Sequence, residues 1–409
     1  MSLFQEERVR PLQASLDVPD VASLTSDLVQ VLGPGNVERR FQRMRRTIAA
    51  EKGTYRDRWV LPNQRWWAGL EHLTGLFCGA PPARIHLTEE AVWVLESALT
   101  LRTLLPGIPG ELRKQFTGRL LSSEGVASPL LELSMAGHFW QAGYAITWLQ
   151  GSGVVGDRTS EFVASAHDLE LEIECKSKTR DAGRRVARPA FYRLADSITE
   201  LLQERGLYGE VRVELADRMP VGNRWREEVL ARLPSREGRG TVAGPGACQI
   251  SWELFRGGKI VVPESALRDT ISALRHEPFA HLSVTGAGGP SGSRGPIVVI
   301  ARSGKPDRIL ESIQRELLDA ADQFSGTRPG VICMYLPEVE SLEAIKDSGV
   351  LEGVAHAAFN RRSQRQVAEI RFLADPVIED TRFGKSTRYP VLAFANPSFE
   401  VGPRETSIA

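Results

Sequence analysis

Hydrophobic and polar positions along the chain change their spacing near residue 123. Before that point, apolar residues recur at the spacing of amphipathic helices that are broken by Gly and Pro. From Gly143 onward, short alternating or fully apolar runs typical of strands lie between helical patterns. The pattern therefore predicts a helical N-terminal part followed by a mixed α/β part.

Individual elements follow from the same spacing. We expect helices at Val21–Leu32, Val37–Glu51, Asn63–Phe77, Thr88–Leu105, Gly110–Leu121, Ser128–Ala142, Arg188–Glu204, Asn223–Leu233, Glu264–Arg275, Pro306–Gln323 and Gly353–Arg362. We expect strands at Tyr144–Leu149, Glu161–Ala166, Leu169–Lys176, Gly209–Leu215, Cys248–Leu254, Lys259–Val262, His281–Val284, Ile297–Arg302, Gly330–Tyr335, Val367–Leu373 and Pro390–Ala395. The fold class predicted is α/β.

Length sets the domain organisation. The chain has 409 residues, and at about 150 residues per domain this length favours two or three domains. The changes of pattern suggest a helical N-terminal region over residues 1–124, an α/β core over 125–219 and a C-terminal α/β region over 220–409. The C-terminal region could extend the sheet of the core or form a domain of its own.

One strand carries an unusual charged face. The segment "LELEIECKSK", from Leu169 to Lys178, alternates apolar and charged residues with the period of a strand. Glu170, Glu172, Glu174, Lys176 and Lys178 share one face. The simplest interpretation is a solvated face of an antiparallel sheet.

Neighbouring segments favour a chemical role for part of this face. Glu132 lies on the inward stripe of a helix for which Ser128 is the predicted N-cap, and a buried carboxylate requires a partner such as a cation. Glu161 lies on the strand before Glu174, so both carboxylates can approach one point. Hard oxygen ligands of this kind suit Mg²⁺ or Mn²⁺, and Lys176 beside them could orient an attacking water.

These residues resemble the PD-(D/E)xK nucleases, which have the restriction-endonuclease-like fold. Glu132, Glu161, Glu174 and Lys176 occur in the order of that family's pattern, and the resemblance covers roughly residues 128–217. It implies an αβββαβ core whose last helix and strand are Arg188–Glu204 and Gly209–Leu215.

The resemblance also implies roles. Glu132, Glu161 and Glu174 would bind the metal, and Glu161, Glu174 and Lys176 would catalyse phosphodiester hydrolysis, with DNA the favoured nucleic acid. The sequence departs from the family at the usual Pro-Asp, which is Ser160-Glu161 here. Asp157 is the reserve candidate for that ligand. A homodimer is an open alternative, because many enzymes of this fold pair two sites.

Arginines supply candidate phosphate contacts. Arg184, Arg185 and Arg188 follow the strand of Glu174 and Lys176, where they could hold a nucleic-acid backbone. A second set, Arg39, Arg43 and Arg46, forms a stripe on an N-terminal helix. Both sets can equally be read as solvated surface charge.

Composition narrows the class of protein without identifying it. The 51 basic and 51 acidic residues cancel, so any affinity for nucleic acid must come from local patches. Four isolated cysteines and the lack of a long apolar run predict a cytoplasmic protein without a membrane segment. Two alternatives to the nuclease stay open: an inactive nuclease-like module that binds nucleic acid or protein, and a scaffold protein in which "LELEIECKSK" is only a solvated strand.

Overall fold

The fold is known from a computed structural model of the chain. It describes residues 18–78, 85, 87–122, 126–149, 160–167, 169–178, 181–256, 295–336, 349–360, 366–377 and 388–399 with their side chains. At 8–9, 280–286, 378–381 and 384–387 it describes the backbone alone. The predicted strand Lys259–Val262 and the predicted helix Glu264–Arg275 lie outside these residues.

Helices dominate the first third of the chain and alternate with strands afterwards. The helices are α1 Val18–Leu32, α2 Pro34–Ala50, α3 Gly53–Tyr55, α4 Leu61–Leu76, α5 Glu89–Leu104, α6 Gly110–Leu121, α7 Ala127–Gln141, α8 Arg188–Glu204, α9 Asn223–Leu230, α10 Ile309–Ala321 and α11 Val350–Phe359. A short π-helical segment, Arg56–Val60, precedes α4.

The strands pair into two mixed sheets among the described residues. They are β1 Arg8–Val9, β2 Ala145–Trp148, β3 Phe162–Ala166, β4 Leu169–Ser177, β5 Leu207–Leu215, β6 Gly238–Ala243, β7 Cys248–Arg256, β8 Ala280–Gly286, β9 Pro296–Ser303, β10 Gly330–Tyr335, β11 Val367–Leu373, β12 Val377–Thr381 and β13 Gly384–Ala395. The expected α/β class is confirmed.

The chain divides into two compact units. The first comprises Met1–Met44, Gln64–Arg180 and Leu310–Ala409, and the second comprises Arg45–Asn63 and Asp181–Ile309. In chain order, most of the second unit is therefore inserted between β4 and α10 of the first.

The first unit contains the larger sheet, in the order β1-β13-β11-β10-β4-β3-β2, with β12 paired to β13. Strands β2, β3 and β4 are antiparallel neighbours, whereas β10 runs parallel to both β4 and β11. All six residues of β10, "GVICMY", are buried. Such a continuous apolar run is typical of an inner parallel strand that is covered on both faces.

The second unit is built around the other sheet, in the order β6-β7-β5-β9-β8. Helix α8 buries Phe191, Leu194 and Ile198 in a core that also contains Val211 of β5 and Val299 of β9. Burying each such side chain contributes about 1.5–3 kcal/mol. This unit therefore has a hydrophobic core of its own.

This division differs from the expected core over residues 125–219. The predicted last helix and strand of that core, now α8 and β5, belong to the second unit, and the parallel neighbour of β4 is β10. Parallel neighbouring strands must be joined by a long crossover connection, and any helix and strand later in the chain can provide it. For this reason the order of elements after β4 does not identify its parallel neighbour. Strands β10, β11 and β13 extend the sheet of β4, which was one of the two possibilities for the C-terminal region.

Within the part of the chain that the structure describes, no helix combines the length and the apolar character that crossing a bilayer requires.

Candidate active site

Glu132 of α7 is buried in the first unit, with 2% of its surface exposed. Its Oε1 accepts hydrogen bonds from an Nη2 of Arg119 on α6 and from Ser128 Oγ, the latter at 3.1 Å. Because α7 begins at Ala127 with Val126 as the N-cap residue, Ser128 does not have its predicted capping role. Its hydroxyl holds Glu132 instead.

Glu161 lies immediately before β3, and Glu174 lies within β4, the antiparallel neighbour of β3. Phe162 of β3 is opposite Ile173 of β4, so the next position along each strand carries Glu161 and Glu174. The backbone N–H of Glu161 donates to Ile173 O at 3.0 Å, which fixes this end of β3. Both glutamates are buried, and Glu174 has no exposed surface.

Lys176 lies two residues beyond Glu174 on the same strand face. Its Nζ is 2.6 Å from Glu174 Oε1. The Gln323 side chain, just after α10, is assigned with its amide nitrogen toward Glu174. In that orientation it donates to Glu174 Oε1 at 3.0 Å and accepts from Lys176 Nζ at 2.7 Å. The result is a closed triangle of carboxylate, ammonium and amide.

Burial and crowding of negative charge shift the pKa of every carboxyl group in this cluster. Burial, reinforced by the charges of Glu132 and Glu174, raises the pKa of Glu161 to about 9. Burial raises the pKa of Glu174 to about 7 despite the opposing charge of Lys176. Burial also raises the pKa of Glu132, although Arg119 acts in the opposite direction. When all three carboxyl groups are ionised, the positive charges of Arg119 and Lys176 are therefore too few to balance them.

The side chains of this cluster are of the type that binds hard divalent cations. Glu132, Glu161 and Glu174 offer carboxylate oxygens, and Mg²⁺ is commonly held by only one or two carboxylates together with water and phosphate oxygens. The described residues contain no group of three or more His, Cys, Asp or Glu side chains gathered closely enough to hold a metal ion. Arg119 and Lys176 each engage one of the carboxylates. A metal ion bound at Glu161 and Glu174 would therefore compete with Lys176 and Gln323 for the Glu174 carboxylate.

The remaining charges of "LELEIECKSK" have structural partners. Glu172 is 1% exposed and accepts from Ser325 N at 2.8 Å and from Arg328 Nη1 at 3.4 Å. Arg328 Nε donates to Glu170 at 2.7 Å, and Lys178 Nζ is 2.9 Å from Glu316 of α10. The simplest interpretation, a solvated face, is therefore wrong for Glu172 and for Lys178, whose side chain is 11% exposed.

Sequence reasoning missed three residues of the cluster's environment: Arg119, Gln323 and Ser128 in its observed role. Arg119 lies 13 positions before its partner Glu132. Gln323, which contacts Glu174 and Lys176, comes after the second unit in chain order. No local motif marks either residue. A signal existed only for Ser128, which is four positions before Glu132 and hence on the same side of a helix.

The predicted phosphate-binding residues Arg184, Arg185 and Arg188 belong to the second unit and have acidic neighbours there. Arg185 Nη1 is 2.9 Å from Asp217 Oδ1, and Arg188 Nε is 3.1 Å from Asp181 Oδ1. Arg184 is 3.9 Å from both Asp181 and Asp307. Their contact with nucleic acid stays a prediction, and it would require exchanging these ion pairs for phosphates.

The arginine stripe Arg39, Arg43 and Arg46 is exposed on α2, whose opposite face buries Val37, Phe41 and Met44. Arg39 Nη2 donates to Asn36 Oδ1 at 2.6 Å. An exposed basic face is compatible with a phosphate-binding role, which stays a prediction. The reserve metal ligand Asp157 lies outside the described residues.

Comparison with known proteins gives no relative from which a role could be transferred. No protein-family model matches the chain, and no curated protein or solved structure resembles it significantly. Function therefore has to be argued from the site itself.

Proposed function

We propose that the protein is a divalent-metal-dependent nuclease that hydrolyses phosphodiester bonds of nucleic acid, with DNA as the first substrate to test. The observation that carries the proposal is the buried cluster where β3 begins beside β4. Glu161 precedes Phe162 and Glu174 follows Ile173, which are paired there. The charge of Glu174 helps to raise the pKa of Glu161, and Lys176 Nζ is 2.6 Å from Glu174. Burying such a cluster is costly, and titratable groups with strongly shifted pKa values are concentrated at functional sites.

The order of elements in the first unit gives further support to the PD-(D/E)xK assignment. The family pattern is a helix with Glu, three strands, a helix and a strand. In the first unit, α7, β2, β3, β4, α10 and β10 follow in that order, and β4 is between β3 and β10. The second unit is an insertion within this pattern. The proposal thus survives the loss of α8 and β5 from the expected core.

Each residue has a chemical task in the proposed reaction. Glu161 and Glu174 would hold Mg²⁺ or Mn²⁺, and Glu132 would be a third ligand if it exchanged Arg119 for the metal. The bound ion would supply a water of lowered pKa and neutralise the phosphoryl oxygens. An ammonium has three N–H donors, and Glu174 and Gln323 account for two on Lys176, so the third can orient the attacking water.

The overall reaction adds one water molecule to the phosphodiester. The water oxygen forms a bond to phosphorus, and one ester P–O bond breaks. The water loses a proton to solvent, and the leaving oxygen gains one. Lys176 contributes by stabilising the negative charge that develops at the phosphate in the transition state.

A matched pair of lysine variants tests the proposal. Linear and closed circular duplex DNA are incubated with the full chain in Mg²⁺ or in EDTA. Wild type and Lys178→Met should cleave in Mg²⁺ only. Lys176→Met should lose at least about 100-fold in rate, the usual scale for a positioned group that stabilises transition-state charge. Lys178 is the control because it is on the same strand face but bonds to α10.

The outcome also separates modes of cleavage. Cutting of closed circles indicates an endonuclease, whereas degradation of linear DNA alone indicates an exonuclease. RNA of the same sequence is tested in parallel. No metal-dependent cleavage of any substrate by wild type, or equal cleavage by both lysine variants, overturns the proposal.

A second candidate function is an inactive nuclease-like module that binds nucleic acid or a protein. The observation in its favour is that Arg119 already neutralises Glu132 and Lys176 already neutralises Glu174. Ion pairs of this kind can hold a fold together without any metal. Binding of DNA with unchanged affinity in Mg²⁺ and EDTA, without cleavage, would favour this candidate.

A further inference from the structure

The turn after α10 covers part of the charged face of β4. Two side chains of this turn contact different residues of that face. Gln323 contacts Glu174 and Lys176, whereas Ser325 contacts Glu172. The Gln323 backbone N–H donates to Ala320 O at 3.0 Å, and the neighbouring Phe324 is buried. The backbone that carries the Gln323 side chain is thus anchored on both sides.

An amide is the side-chain group that matches this position chemically. A carboxylate only accepts hydrogen bonds and an ammonium only donates them, whereas a glutamine both donates and accepts. The Gln323 side chain can therefore bond Glu174 through its nitrogen and Lys176 through its oxygen at the same time. A second carboxylate here would repel Glu174, and a second cation would repel Lys176.

Lysine particularly needs such a contact. Its flexible four-carbon stem leaves the ammonium many rotamers when nothing restrains it. A contact with Glu174 alone fixes the distance of Nζ from one carboxylate. Contacts with both Glu174 and Gln323 also fix the direction in which the ammonium points. The lysine side chain is 22% exposed, so its amine remains within reach of solvent while both partners hold it.

We propose that Gln323 is a positioning residue, which holds the Lys176 amine against Glu174 in the orientation that the proposed reaction needs. This inference rests on the proposed nuclease function and adds a residue that no local sequence motif marks. Gln323 acts through Lys176 and Glu174 and does not itself touch the phosphate. Residues that orient catalytic or metal-binding groups in this way typically contribute about 10- to 100-fold to activity.

The test uses Gln323→Met, which keeps the side-chain length but removes both hydrogen bonds, with Ser325→Ala as the control in the same turn. The first readout is independent of cleavage. Each full-length variant is treated with a low dose of acetic anhydride, and lysine acetylation is measured by mass spectrometry. Labelling of Lys176 is compared with that of Lys114, whose side chain is 80% exposed.

Release of the amine should raise Lys176 labelling several-fold in Gln323→Met and leave it unchanged in Ser325→Ala. The second readout is kinetic: Gln323→Met should lower kcat for DNA cleavage about 10- to 100-fold at an unchanged KM, and Gln323→Glu should not restore kcat. Circular dichroism and thermal denaturation verify that each variant is folded.

The two readouts separate the two proposals. Unchanged Lys176 labelling in folded Gln323→Met overturns the positioning role. Increased labelling with wild-type kcat shows that the contact exists but is not needed for cleavage, which also overturns it. A wild-type protein that does not cleave nucleic acid overturns the proposed function and the catalytic part of this inference together, whatever the labelling shows.

Discussion

Strands β4 and β5 have almost the same alternating sequence pattern, yet their charged faces differ completely. In β4, "LELEIECKS", Glu172 and Glu174 are buried. In β5, "LYGEVRVEL", Glu214 is exposed, and the side chains of Glu210 and Arg212, which pair with each other, are 30% and 37% exposed. The apolar residues of both strands are largely buried in their own units.

The difference shows what alternation can and cannot predict. A period of two tells which side chains share a face, but not what covers that face. On β4 the cover comes from α10 and the turn after it, more than 130 positions away in the chain. On β5, Glu210 and Arg212 pair with each other along the same strand. Buried charge that needs distant partners is the stronger indication of a functional site.

The largest expected effect distinguishes the two faces by activity. Glu174→Gln should reduce Mg²⁺-dependent DNA cleavage by at least about 100-fold, because it removes the proposed metal ligand that also contacts Lys176. The matched variant Glu214→Gln on β5 should cleave like wild type. Initial rates on radiolabelled duplex DNA measure both. Equal rates in the two variants would contradict the distinction between the strands.

The second largest expected effect is a difference in local stability between β4 and β5. Glu172→Ala leaves the donors of Ser325 without their acceptor and should lower the free energy of opening of β4 by about 1–3 kcal/mol. Glu210→Ala removes a partly exposed ion pair and should change that of β5 by less than about 1 kcal/mol. Hydrogen exchange with mass spectrometry measures each strand separately. A larger loss in β5 than in β4 would refute the contrast.

The pH dependence of β4 follows from the raised pKa values. The carboxyl groups of Glu174 and Glu161, with pKa values of about 7 and 9 against an ordinary 4.5, bind protons more tightly in the folded than in the unfolded chain. Their contribution to the free energy of unfolding is therefore complete below about pH 4.5 and is lost as pH rises through 7 and 9. Without metal, we expect β4 to open more easily as pH rises over this range.

Two additions sharpen that pH test. Glu161→Gln should flatten the dependence, because its amide does not titrate. Mg²⁺ should protect wild-type β4 more at pH 9 than at pH 6, since metal binding requires ionised carboxylates. Strand β5 serves as the internal reference in the same exchange experiment. A β4 opening free energy that rises with pH without metal would show that the carboxyl groups are not crowded as described.

The smallest expected effect concerns the exposed arginines. Single substitutions Arg39→Ala, Arg43→Ala and Arg46→Ala should each weaken DNA binding similarly for all sequences and reduce the slope of log K against log salt by about 1. Arg224→Ala is the control, because its side chain on α9 is 92% exposed but pairs with Glu228 in the next turn. Fluorescence anisotropy at several salt concentrations measures the slope. Unchanged slopes in all three stripe variants would remove α2 from the binding surface.

Sequence pattern alone predicted much of the local structure around the site. The bounds expected for β2, β3 and β4 agree with the structure to within one or two residues, because alternation and the intervening turns are local signals. Alternation also places Glu174 and Lys176 on one strand face, where they are in contact. Their proximity needs only one strand face.

The rest depended on contacts between distant segments. The helix and strand expected after β4 match α8 and β5 as well as they match α10 and β10. Only the strand pairing in three dimensions shows that β10 is the parallel neighbour of β4, whereas β5 pairs with β9. Arg119 and Gln323 could not be found because nothing near them in sequence indicates a buried carboxylate. Coverage of a charged face is a tertiary property.

The most direct test of the central claim is to locate the metal. A crystal of the full chain soaked in Mn²⁺ is measured at the manganese absorption edge. The account predicts an anomalous peak between Glu161 and Glu174 at about 2 Å from their oxygens, which is lost in Glu161→Gln. Occupied manganese elsewhere, with Glu161 and Glu174 free of it, would contradict the account.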